Sequence, residues 1–209
     1  MPDTTPQTED RVLPHADERR GPAPLPVAGE LPVTPPAPAG ERAPQAEEVA
    51  RPTADPSQRA EEVAKLASGS GRSVAVAESL TAGALSSALG AAPDSSAWFR
   101  GGVVAYASEV KHTLLQVPEG PVVSEQAAVA MAETTADLLG ADVALGVTGA
   151  GGPDPQDGQP AGTVWLAVCV GQHTTTECRR FPGGPEDVVQ QTVLRGLALL
   201  QQALATAAG

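Results

Sequence analysis

The chain has little of what metal sites, disulfide frameworks and nucleic-acid interfaces are built from. Two cysteines occur in 209 residues, Cys169 and Cys178, inside a stretch that reads as a hairpin. They are too few and too close together for a zinc site, and their default state is a pair of reduced, buried thiols. The three histidines, His15, His112 and His173, are scattered. Neither a metal cluster nor a histidine-based triad is visible, so no metal is expected. Trp98, Phe99, Tyr106, Trp165 and Phe181 are the only aromatics, too few for a base-stacking platform. Thirteen Lys and Arg face 25 Asp and Glu, for a formal charge of −12, with no basic cluster to neutralise phosphates. Nucleic acid is therefore excluded as a general partner. No apolar run is long enough to span a bilayer, and no basic start with an apolar core marks a secretory signal. The expectation is a cytoplasmic protein without a membrane partner.

Proline is plentiful but unevenly placed. Of 21 prolines, 13 lie between Pro2 and Pro56, and every aromatic lies beyond them. A segment of that composition buries too little apolar surface to offset its ordering entropy. Residues 1–56 read as a disordered Pro/Ala/Glu-rich tail of polyproline II character, whose PxxP spacings are too common to specify a ligand. Residues 57–207 read as one folded domain.

Within that domain "SQRAEEVAKLAS" has helical apolar spacing behind a Ser57 N-cap, and Gly69 and Gly71 end it. A strand is expected at Ser73 to Ala77, a helix from about Leu80 to Ala91, a strand around Val103 to Tyr106 and a helix near Glu109 to Gln116. Ser124 reads as the N-cap of a helix with Ala127, Ala128, Met131 and Leu138 on its apolar side. "DVALGV" (Asp142 to Val147) has strand length and empties into a glycine-rich loop. "TVWLAVCV" and "TTTECRRF" flank Gly171, Gln172 and His173 as a hairpin, and a closing helix runs from about Glu186 to Ala205. Strands alternating with helices, then a hairpin, give the α/β class: a single domain with a mixed sheet flanked by helices.

Chemistry-bearing residues gather at the element ends. "VAVAESLTAGALSSAL" turns from strand to helix at Glu78, Ser79 and Thr81. Hydroxyls and a carboxylate there cap a helix, and the same geometry can hold a reactive serine beside free N–H groups. The G-x-S-x-G signature is absent. Serine needs a base. His112 has apolar neighbours at helical spacing, which marks it as packed or on the surface. Lys111 follows Tyr106 by five residues, and serine with lysine is a known arrangement that needs no histidine. Such a lysine must be lowered by roughly 3 pKa units to act uncharged at neutral pH, a shift that partial burial beside Tyr106 or a neighbouring positive dipole end could supply. On spacing alone Lys111 is a solvated helix residue. "GVTGAGGP" (Gly146 to Pro153) can present successive N–H groups to an anion, or be a plain turn.

Taken together, "AESLTAG" (Ala77 to Gly83), "SSAWFRGGVVAY" with Lys111 five residues on, "VS" at Val123 and Ser124, "TGAGGP" (Thr148 to Pro153) and "PAGTVW" (Pro160 to Trp165) resemble the CinA C-terminal-type family. Its enzymes are nicotinamide-nucleotide amidohydrolases, or nicotinamide mononucleotide deamidases. The resemblance covers about Ser57 to Leu204. It implies Ser79 as nucleophile and Lys111 as general base, with Tyr106 and Ser96 positioning or relaying the proton. It also implies substrate contacts at Thr81, Thr148, Gly149, Gly151 and Gly152. The implied reaction converts nicotinamide mononucleotide to nicotinate mononucleotide and ammonia, in NAD recycling, with no cofactor. The implied partner is a small-molecule nucleotide substrate, and a homo-oligomer fits the family. Glu78 reads as a cap, since a carboxylate would repel a developing oxyanion. The oxyanion donors are either the turn after Ser79 or the Gly149 to Gly152 loop.

Departures from the family pattern are also informative. Ala82 stands where the family has glycine and Gly151 where it has alanine, both small enough to keep the backbone path. Pro185 and Gln190 occupy arginine positions. If those arginines hold a substrate phosphate, that grip is lost here, and Arg179 or Arg180 is left to compensate. The alternative class is a non-catalytic interaction protein linked to competence or recombination, docking through the proline-rich tail.

Overall fold

A computed structural model describes residues 55–207. The expected tail, residues 1–56, therefore lies almost wholly outside the described residues. Helix α1 (Pro56–Ser70) starts two residues earlier than a Ser57 cap suggests. Asp55 is the cap, accepting the Ser57 N–H at 2.9 Å, and Pro56 fills the first helical position, where its missing N–H is no loss. Gly71, at φ +64°, closes the helix.

Strand β1 (Val74–Glu78) is buried along its whole length and lies between β2 (Phe99–Val104) and β3 (Val143–Gly149), parallel to both. Strands β4 (Thr163–Val170) and β5 (His173–Arg180) add antiparallel to β3, giving the order β2-β1-β3-β4-β5. A parallel strand buried on both faces reads as an unbroken apolar run, which is why "VAVA" and "VALGV" were legible as strands. The hairpin closes through Gly171 and Gln172 alone, because His173 already pairs with Val170.

The two faces of the sheet follow the strand period of two. Val164, Leu166 and Val168 join Val76 and Leu145 in a core with α1, α2 (Ala84–Gly90) and α6 (Pro185–Ala207). Ala167 and Cys169 face α5 (Glu125–Leu139). Gly146 lets that helix approach, since a Cβ there would lie 2.4 Å from the Ala128 carbonyl oxygen and 2.7 Å from the Ala132 nitrogen. At the far end of the sheet the Asp142 carboxylate takes the Ser73 N–H at 2.8 Å and its hydroxyl at 2.7 Å, which holds its pKa below the usual carboxylate value.

Several local expectations change. Helix α2 begins at Ala84, because Leu80 to Gly83 form a turn. A short helix, α3 (Ser95–Trp98), precedes a β2 that starts at Phe99 and runs through Gly101 and Gly102, two residues that disguise a strand. Leu138 is 53% exposed rather than on the covered side of α5, and Cys178 is exposed rather than buried. Among the described residues no helix is long and apolar enough to cross a membrane.

Candidate active site

The carboxyl ends of β1, β2 and β3 meet at one edge of the sheet. Glu78 ends β1 fully buried, and its carboxylate accepts the N–H groups of Gly83 (3.1 Å), Leu85 (3.0 Å) and Ser86 (2.7 Å), together with the Ser86 hydroxyl (2.6 Å). It satisfies the free donors that open α2, as a capping reading expects. With Glu78 committed to the helix, the chain between them must turn sharply. Ala82 sits at φ +50° and Gly83 at φ +99°, and the Ala82 N–H closes on the Ser79 carbonyl at 3.1 Å. Ser79 heads this turn, largely buried, with one side in a cavity of about 460 Å3.

Beyond β2 the Ala105 N–H reaches the Glu78 carbonyl at 2.8 Å, so the β1–β2 ladder extends to the residues flanking Ser79 and Tyr106. Neighbouring strands lie about 4.8 Å apart. Tyr106 lines the same cavity and is 72% exposed. Helix α4 (Ser108–Leu114) then folds Lys111 back toward the strand end, at 1% exposure, with its Nζ donating to the Tyr106 carbonyl at 3.1 Å. The solvated lysine expected from spacing alone is thus replaced by a buried one. Burial lowers its pKa from the ordinary lysine value, and the Asp157 carboxylate opposes that shift. An uncharged amine that donates one N–H to a carbonyl keeps its lone pair available for a proton. His112 is engaged elsewhere, its Nδ1 lying 2.9 Å from the Val117 carbonyl oxygen.

The third wall is the loop after β3. Gly149, Gly151 and Gly152 all line the cavity. A Cβ on Gly151 would sit 3.9 Å from Leu80, so the loop lies against the turn that carries Ser79 and an alanine would fit there. The N–H groups of Leu80, Gly151 and Gly152 find no acceptor among the described residues. Both sources of oxyanion donors considered from sequence therefore flank Ser79.

At its tip the loop folds as a two-residue hairpin. The Gln156 and Gln159 backbones pair at 3.0 and 2.8 Å, with Asp157 at φ +53° and Gly158 at φ +75°. The Asp157 carboxylate accepts the N–H groups of Val122 (2.7 Å) and Val123 (3.0 Å), while the Thr148 hydroxyl donates to the Val122 carbonyl at 2.6 Å. Sequence reasoning passed over Asp157; its signal was the Asp-Gly pair, a hairpin-turn dipeptide.

Not every expected residue comes to this place. Ser96 sits exposed on α3, at the opposite end of β2 from Tyr106, about 20 Å of strand away, and the structure does not bring it to Ser79. Thr148 is 1% exposed with its hydroxyl committed to Val122, which makes it a support of the wall rather than part of its surface. Thr81 is 3% exposed beneath the turn, outside the cavity lining, with no partner for its hydroxyl among the described residues. Arg179 does not compensate for the family arginines, because it pairs with Glu177, which also holds Arg195. That pair of guanidinium groups, Arg195 foremost, lowers the Glu177 pKa to about 2.

Comparison with known proteins agrees with this architecture. A CinA-like protein of Frankia casuarinae is 40% identical over 137 residues, covering 63% of this chain and 32% of the relative. A relative from Lacticaseibacillus casei is 39% identical over 156 residues, and the chain spans 38% of its length. Among solved structures, a competence-damaged protein (CinA) superfamily protein from Klebsiella pneumoniae matches with a TM-score of 0.70 at 35% identity, covering 73% of this chain and 99% of that one. The family model described as the CinA C-terminal domain matches residues 56–204, and the chain belongs to that family.

Proposed function

We propose that this protein is a serine–lysine amidohydrolase that releases ammonia from the carboxamide of nicotinamide mononucleotide or a close pyridine nucleotide. The observation that carries the reading is the buried Lys111 amine, held on the Tyr106 carbonyl at the strand end beside Ser79. A lysine placed there for stability alone gains one hydrogen bond against the desolvation of an ammonium group, a poor exchange.

In the proposed reaction the Ser79 oxygen attacks the amide carbon as its proton passes to the uncharged Lys111 amine. The carbonyl oxygen becomes an oxyanion against the N–H groups of Leu80, Gly151 or Gly152, each well-placed donor being worth on the order of 3 kcal/mol. Lys111 returns the proton to the leaving nitrogen, the C–N bond breaks and ammonia departs. Water then adds to the Ser79 ester, giving up a proton to Lys111, and the carboxylic acid leaves as the Ser79 hydroxyl is restored. One amide and one water thus become one acid and one ammonia. The exposed Tyr106 ring and the Asp154 carboxylate, both in the cavity wall, suit a pyridinium ring.

Ammonia release from nicotinamide mononucleotide by wild type, Ser79→Ala and Lys111→Ala tests the assignment. Turnover in wild type and none in either variant is the expected result. Full activity in either variant overturns that residue's role, and a wild type that releases no ammonia from any pyridine carboxamide tried favours the interaction-protein reading instead.

A further inference from the structure

Besides Ser79, the cavity is lined by Pro185 and Val189 of α6 and by the loop after β3. A substrate's remaining groups must lie against this lining. Among the described residues no lysine or arginine lines the cavity, whereas the Asp154 carboxylate does. Lys111 is not among the lining residues.

A helix start can hold a phosphate through its free N–H groups, but this one is short of them and carries negative charge. Pro185, the first helical residue, has no N–H. The Gly184 N–H is taken by the Asp187 carboxylate at 2.9 Å, and Glu186 with Asp187 puts two negative charges in the first turn. The loop opposite offers little more. Pro153 and Pro155 lack N–H groups, and Gly151 lies against Leu80, beside Ser79. The guanidinium groups of Arg179 and Arg195 are both drawn to Glu177.

We infer that this pocket selects a carboxamide whose far end carries no phosphate, a cationic pyridine nucleoside rather than the corresponding nucleotide. The inference rests on the serine–lysine amidohydrolase chemistry proposed above and moves its preferred substrate from the nucleotide to the nucleoside. A pyridine nucleoside is a net cation and meets Asp154 and the acidic start of α6 favourably. The nucleotide adds a phosphate dianion that meets no lysine or arginine of the cavity lining among the described residues, and like charges at close range repel.

The experiment measures kcat/KM for ammonia release by the full-length chain on nicotinamide riboside and on nicotinamide mononucleotide. The riboside is expected to be better by about tenfold. Pro185→Arg is expected to raise kcat/KM on the mononucleotide about tenfold, and Asp154→Asn to narrow the ratio between the two substrates, so the prediction survives should either variant fail to fold. Parity, or preference for the mononucleotide by wild type, overturns the inference and leaves the amidohydrolase reading standing. No ammonia from either substrate overturns the amidohydrolase reading itself.

Discussion

At 1% exposure Lys111 is a residue that the unfolded chain protonates more readily than the folded one. Its folded-state pKa is lowered, so its burial weakens the fold fully at pH values below that pKa. The penalty fades as pH rises toward the ordinary lysine value of 10.5. Lys111→Met keeps the shape and removes the charge. It is expected to raise Tm at neutral pH, by roughly 2–4 °C for each kcal/mol relieved, while abolishing ammonia release; thermal unfolding of both proteins checks this. The same shift sets the wild-type pH profile. Ammonia release is expected to fall on the acid side as Lys111 takes up a proton, through a pKa below that of a free lysine. Ala82 gives a second test at this scale. A non-glycine residue at φ +50° costs about 1 kcal/mol, of which glycine's larger unfolded-state entropy returns part. Ala82→Gly is expected to stabilise by ~0.5 kcal/mol in urea titration, and a loss of stability would contradict that strain.

At the scale of elements, the loop after β3 works as a wall pinned by its tip. Asp157 spans the gap to Val122 and Val123, the strap that leads into the Ser124 cap of α5. Its charge also faces Lys111 and raises that lysine's pKa against the effect of burial. Asp157→Asn is therefore expected to move the acid limb of the activity profile to lower pH and to cost about 1 kcal/mol of stability. An unmoved limb would show that the carboxylate does not reach Lys111. Gly146 fixes how closely α5 meets β3. An alanine there meets backbone atoms at 2.4 and 2.7 Å, which cannot shift cheaply, and Gly146→Ala is expected to cost about 2–3 kcal/mol by denaturant titration.

These two elements also mark the boundary of what sequence reveals. The buried strands and capped helices were legible because each carries its own period and its own cap. Ser79 and the glycine loop were legible because strand ends and turns are marked by residue type. The burial of Lys111 was not, since it depends on where α4 lies against the end of β2, a tertiary fact with no local signature. Nor was the strand at Phe99–Val104, whose glycines suppress the strand signal, nor the reach of Asp157 across 34 residues to Val123. Ser96 shows the converse: a motif places it beside the site in sequence, but the direction of β2 carries it to the other end of the sheet.

Over the whole molecule, charge and architecture point the same way. A net charge of −12 and a carboxylate in the cavity wall both disfavour an anionic ligand. The sheet, both helical layers and the cavity lining named above are drawn from residues 55–207. Removal of residues 1–54 is accordingly expected to leave kcat/KM for ammonia release unchanged, and a fall in turnover would assign the tail a part in the fold or the site. The central claim is that Ser79 carries the acyl group. Acid quenching of the full-length chain during turnover, followed by peptide mass mapping, reads this directly. The account predicts a pyridinecarbonyl adduct on the peptide containing Ser79. An adduct on another residue, or undiminished turnover in Ser79→Ala, would contradict it.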